Sequence, residues 1–292
     1  MVSKATRRLC LAASVVAVSF GANQAQAVPT NIEGSAGGGL VPMALMHPQG
    51  PLFSYTNLTT QDFGIQSVAI GGTISDRAEV SFGHLMTTVP ASYAAFYTDN
   101  RVTVNTFGLK VKVLDMGDSA PQVVVGLQAK SSSGSLLDTL QAAGAISGKS
   151  GTDVYAAATK VVTIGGKGVV LNGVLRATKA NQMGILGFGG GTAAGGKTGY
   201  SLKPELSAGV FLADNVILGG EYRAKPNNIS STVAGLGVKE EGAYSLCMVY
   251  IVNKNMAITA AYVNLGQVGA SKAAVAGAAR QDGMYLQLQS NF

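Results

Sequence analysis

The sequence predicts an all-β chain: a single antiparallel transmembrane β-barrel of about twelve strands. Three observations predict it. Strict two-residue alternation of apolar and polar side chains recurs along the chain. Charged residues make up only 12% and the mean hydropathy is +0.28, yet after the first 27 residues no apolar run reaches the ~18 residues of a membrane helix. The links between alternating stretches are by turns short and long. A helical membrane protein is excluded on length. Apolar content without long apolar runs suits a barrel, in which every second side chain meets lipid while its neighbours face the lumen.

Residues 1–27 read as a secretory signal peptide, because Lys4, Arg7 and Arg8 precede an apolar stretch from Leu9 to Ala22 and then Ala25-Gln26-Ala27. Cleavage is expected after Ala27, and Val28 in place of a cysteine argues against a lipid anchor. Residues 28–49 follow, glycine-rich and then apolar from Glu33 to Leu45, with no strand pattern. Two readings stand for this segment. It is a flexible periplasmic lead-in, or it threads the lumen as a plug, with Glu33, Gly37, Gly38, Gly39 and Pro42 as its candidate residues and the glycines permitting tight turns against the wall.

The barrel is assigned to residues 50–292, with strands near 51–58, 63–73, 77–87, 101–114, 121–130, 152–163, 167–178, 199–212, 215–225, 241–252, 255–264 and 283–292. The clearest sets Tyr200, Leu202, Pro204, Leu206, Ala208, Val210 and Leu212 against Ser201, Lys203, Glu205, Ser207 and Gly209. Phe107, Leu109, Val111 and Val113 alternate with Gly108, Lys110 and Lys112 in the same way. The last strand places Met284, Leu286, Leu288, Ser290 and Phe292 opposite Tyr285, Gln287, Gln289 and Asn291. It resembles the closing strand of bacterial outer-membrane barrels, which implies lipid and the barrel assembly machinery as partners. Short links fall near 75–76, 115–120, 165–167, 214 and 253–254, and long ones near 88–100, 131–151, 179–198, 226–240 and 265–282. With both ends in the periplasm, the long links face outward. Within 131–151, Leu136, Leu137, Leu140 and Ile146 have loose helical spacing, either a capping helix or an inward constriction.

Barrels gather aromatic side chains at the two membrane interfaces. Here Tyr200, Tyr222, Tyr244 and Tyr262 fall at the outer ends of four successive strands, and Tyr250 and Phe292 at inner ends. Strand parity points Lys110, Lys112, Lys130, Lys160, Arg176, Lys203 and Arg223 into the lumen, opposed by Glu79, Glu205 and Glu221. A basic excess in narrow water attracts anions. The competing reading is that these groups pair across neighbouring strands and fill the lumen.

Other function classes find little support. Without the leader, 18 basic residues face 15 acidic ones, scattered singly, which speaks against a nucleic-acid partner. Cys247 is then the sole cysteine, so no intramolecular disulfide forms. The stretch Gly191 to Thr198 matches the phosphate-loop pattern by accident, since a strand follows it where that loop requires a helix. His84 and Ser81 share a strand at opposite-face spacing, leaving no evident nucleophile and base. No cofactor is called for, and no cluster of metal-ligating residues stands out.

The segments Glu33 to Leu45, Leu175 to Gln182 with Gly184 to Gly190, and Glu221 to Asn228 together resemble a proteobacterial family, domain-of-unknown-function family 3034. The resemblance covers most of the mature chain and implies an exported, barrel-forming protein, with no activity to carry over. The function expected is passive diffusion of small hydrophilic, possibly anionic solutes through the outer membrane of a Gram-negative bacterium, without enzymatic activity. The alternatives are a non-conducting structural or ligand-binding barrel, or an apolar-solute transporter with an amino-terminal hatch.

Overall fold

The computed structural model describes residues 28–192, 196–229, 238–269 and 280–292. The expected leader, the centre of the Gly191–Thr198 match and parts of the links 226–240 and 265–282 lie outside the described residues. The strands are β1 (Leu52–Thr60), β2 (Gly64–Ile74), β3 (Ala78–Thr88), β4 (Arg101–Leu114), β5 (Gln122–Ser133), β6 (Ile146–Gly148) and β7 (Ser150–Ile164). There follow β8 (Lys167–Thr178), β9 (Phe188–Gly190), β10 (Ser201–Ala213), β11 (Val216–Arg223), β12 (Ala243–Asn253), β13 (Met256–Gln267) and β14 (Arg280–Asn291). All but β6 and β9 join one closed antiparallel barrel of twelve strands. β14 pairs back onto β1, with Leu52 opposite Asn291 and Thr60 opposite Gly283. The short β6 and β9 pair only with each other.

Burial runs opposite to that of a soluble sheet. Leu206, Leu246 and Leu286 are 57–58% exposed on the outside, whereas Glu205 and Gln287 on the other parity are 0% and 1% exposed. Water does not leave a continuous apolar exterior uncovered, so this surface is the lipid-facing one. Tyr222 stands opposite Tyr244 near the long-loop rim, with Tyr262 opposite Leu246 and Tyr200 just ahead of β10. Tyr250 lies opposite Val216 at the short-turn rim, and Phe292 is exposed there. An α-helix, α1 (Ser135–Ala142), occupies the expected stretch and turns Leu136 and Leu137 inward over the long-loop rim.

A lipid-facing wall makes a directional prediction. Leu206→Arg should destabilise the barrel in lipid vesicles by about 2–4 kcal/mol in a urea titration. The same substitution at exposed Lys167, the first residue of β8 beside a short turn, should change stability little.

Candidate functional site: the occluded lumen

Residues 28–50 enter the barrel from the short-turn rim, reach mid-height and return. On the way up, the Val28 carbonyl accepts from Gln289 Nε2 at 2.6 Å, and Thr30 Oγ1 donates to Gln289 Oε1 at 2.7 Å. On the way back, Gln122 Nε2 donates to the Ala44 carbonyl at 2.6 Å and Thr73 Oγ1 to the His47 carbonyl at 2.6 Å. Isolated bridges between Thr30 and Ala36 and between Gly37 and Pro42 hold the segment to itself. Its polar backbone would be orphaned in an apolar cavity, and two wall carboxylates answer that need. Glu79 accepts from Ser35 Oγ at 2.9 Å and from the N–H groups of Ala36 and His47 at 3.0 Å each. Glu221 accepts from the N–H groups of Leu40 and Val41 at 3.0 Å each, and from Ser245 Oγ at 2.7 Å.

The glycines allow this approach by lacking side chains. A Cβ on Gly38 would overlap the Glu221 carboxylate, and one on Gly83 of the wall would come within 2.7 Å of the Glu33 carbonyl. Gly37 turns equally tightly against Val41 and Pro42, and Gly39 lies under the Tyr285 ring.

Glu33 carries the segment's one carboxylate into a belt of wall charges. Its Oε1 lies 2.5 Å from Lys130 Nζ and its Oε2 lies 2.7 Å from Arg223 Nη1. Lys130 also meets Asp153 Oδ2 at 2.6 Å, and Arg223 Nε meets Glu205 Oε1 at 3.3 Å. Arg176 closes the belt, with Nε 2.6 Å from Glu205 Oε1, Nη1 3.4 Å from Asp153 Oδ2, and its guanidinium over the Tyr155 ring. Lys110 pairs with Glu79 at 2.9 Å one level away. All these side chains are almost wholly buried. Burial alone would push the Glu33 carboxyl up, but the Arg223 guanidinium and the Lys130 ammonium outweigh it and hold the group below the ordinary carboxylate range.

The remaining residues of the expected lumen set are placed differently. Lys112 sits at the short-turn rim with Asp115 at 2.6 Å, and Lys203 is partly exposed on the inward parity opposite Arg176. Lys160 is not in the lumen. Asp153, Tyr155, Ala157 and Thr159 are the buried parity of β7, which puts Lys160 on the outer one, where its ammonium turns to the carbonyls of Gly117, Asp118 and Ala120. That inverted parity is also why Asp153 was missed. Glu205 and Glu221 do not form a carboxylate pair, because Glu205 stands opposite Arg223 and Glu221 opposite Ser207. His84 bonds Asn105 at 2.7 Å on the exposed face while Ser81 is buried on the other.

A second occlusion comes from the long-loop rim. Residues 180–190 are buried within the mouth, and Ser132 Oγ donates to the Gly184 carbonyl at 2.8 Å. Gln182 is held between Lys225, whose Nζ lies 2.5 Å from its Oε1, and Glu240, which accepts its N–H at 3.0 Å. The inward-folding element is therefore this stretch and not the 131–151 helix considered as a constriction. Its glycine and apolar content was visible in the sequence, but it has no period to mark it.

Together the fold and its contents define a small transmembrane-type barrel whose lumen is filled from both rims. The chain belongs to the family described as "Protein of unknown function (DUF3034)", whose profile matches residues 27–289. Comparison with curated proteins gives no match. Among solved structures, the chain is similar to the KdgM porin (10% identity, TM-score 0.47, covering 82% of this chain and 99% of that one). It is similar to the Acinetobacter baumannii outer membrane protein Omp33 (9%, TM-score 0.43, 84% and 98%). It is also similar to outer membrane phospholipase A from Escherichia coli (10%, TM-score 0.37, 84% and 98%).

Removing one partner of a buried charge network costs about 3–5 kcal/mol. Glu33→Gln should therefore raise amide hydrogen exchange across residues 30–47 by at least about a hundredfold, and Gly38→Ala should raise it too by displacing Glu221. Exchange at Val124 in β5 should stay unchanged in both.

Acid should act through the same carboxylate. Its lowered value means that docking is fully supported above the ordinary carboxylate range near pH 4.5 and weakens as pH falls below it. Protection of residues 30–47, taken relative to the intrinsic exchange rate at each pH, should stay level from pH 7 down to that range and then fall. In Glu33→Gln this acid limb should shrink.

Proposed function

We propose that the chain is a gated outer-membrane channel for small hydrophilic solutes, closed in the described state by residues 28–49 acting as a hatch. One observation carries the reading: every basic group of the lumen belt keeps a wall partner without Glu33. Lys130 retains Asp153, Arg223 and Arg176 share Glu205, and Lys110 retains Glu79. Withdrawal of the segment thus leaves each cation beside a wall carboxylate; the belt's three cations would then share two carboxylates, and water entering the emptied lumen would solvate the excess charge. The segment's two arms both leave at the short-turn rim, which gives it a path into the periplasm.

Four basic groups (Lys110, Lys130, Arg176, Arg223) would then face four acidic ones (Glu79, Asp153, Glu205, Glu221) across the emptied lumen. The balance argues for weak charge selectivity, tipped toward anions by Lys112 and Lys203 near the rims. In planar bilayers the mature chain should stay closed most of the time. Deletion of residues 30–45 combined with shortening of residues 181–190 should give steady conductance with a reversal potential only slightly on the anion side. A deletion variant that shows the heat-modifiable gel shift of a folded barrel, yet passes no current even when residues 181–190 are shortened, would refute the channel and favour a structural barrel.

A further inference from the structure

Described residues of all six connections of the long-loop rim line a cavity of about 130 Å³: Phe63, Tyr93, Leu136, Leu186, Val238 and Gly269 stand one from each. We propose that this cavity is a binding site for a small neutral apolar molecule of about the size of a single aromatic ring, separate from the lumen and its hatch.

The chemistry of the wall selects the ligand. It is built of aliphatic and aromatic side chains, with the Phe63 and Tyr93 rings 6.3 Å apart between centroids and tilted by 43°. The Thr139 hydroxyl on the wall is already donated to the Ser135 carbonyl. Thr139 and Tyr93 supply the side-chain hydroxyls among the described lining residues, and with Thr139 engaged a water would find fewer than the two to four partners it requires, so the space favours an apolar occupant. Its volume is close to that of engineered apolar cavities of about 150 Å³ that stay dry and admit benzene. A charged or strongly hydrated solute would lose its hydration without replacement.

Location adds a second argument. A cap that only sealed the mouth would close-pack, because lining atoms beside a void lose dispersion contacts. Here the described residues of these loops, otherwise packed into one continuous apolar cluster, leave space where they meet. Occupancy would draw the connections together, whereas the polar belt below is held by groups that an apolar molecule does not engage.

Toluene is a suitable probe, followed by NMR of methyl-labelled leucines in the refolded mature protein. The methyls of Leu136, Leu140 and Leu186 should shift saturably. Those of Leu206 and Leu246, on the lipid face, should drift linearly with toluene dissolved in the micelle. Leu140→Trp and, separately, Ala143→Leu narrow the cavity and should weaken the saturable response at least tenfold while the heat-modifiable gel shift persists. Cap leucines that drift in step with the lipid-facing ones would overturn the site, as would folded variants that titrate like the parent. So would an acyl chain resident in the cavity that toluene fails to displace.

Discussion

The need to pair every charge taken into the lumen governs the interior of this barrel. A carboxylate or ammonium withdrawn from water loses several kcal/mol of hydration even after relaxation, and only close opposite charges and hydrogen bonds return it. The Lys130, Asp153, Arg176, Glu205 and Arg223 side chains meet that requirement from five different strands, and Glu33 adds one more carboxylate from outside the wall. Other features follow from this belt. The segment carrying Glu33 must come close enough for 2.5–2.7 Å contacts, which is why Gly38 and Gly83 have no side chains to interpose. Its own N–H groups then need acceptors, and Glu79 and Glu221 supply them.

The outer surface was the legible part of the fold. Lipid and lumen impose opposite demands on successive residues, so β10 and β14 carry their parity in plain alternation, and link lengths order the rims. β7 was read with the wrong parity because Ala156, Ala157 and Ala158 run through both faces, and small residues fit either environment. Lys160 then served as a false marker, since a long side chain near a rim can leave its own face to reach polar groups. With parity inverted, Asp153 fell outside the expected set, and the lumen seemed more basic than it is.

The filling of the lumen was legible only as an open alternative. Residues 28–49 follow no period, and glycine-rich sequence serves a flexible lead-in as well as a closely packed plug. What decides between them is contact with residues far away in the chain: Glu33 meets Lys130 and Arg223, 97 and 190 positions on. No local pattern encodes such distances. The same holds for residues 180–190, whose tight fold runs through Gln182 and Met183 at positive φ of 44° and 62°. Those backbone positions are uncommon outside glycine, and the buried contacts to Lys225, Glu240 and Ser132 over-determine them.

The two occlusions are held by different balances of polar and apolar contact, and this biases what can release them. Residues 28–49 are docked through hydrogen bonds and one ion-paired carboxylate, and Ile32, Leu40, Val41 and Ala44 add apolar burial. The medium can replace those interactions, through water, protons or ions. The long-loop cap rests chiefly on apolar burial around Phe63, Tyr93, Leu136 and Leu186, with Lys225 and Glu240 pinning Gln182 within it. A polar solute arriving from outside meets the cap first and offers it nothing, while an apolar one can enter its cavity without touching the belt. Ile32, Leu40, Val41 and Ala44 of the segment share one apolar cluster with the cap, so the two ends differ in their polar fastenings while packing joins them.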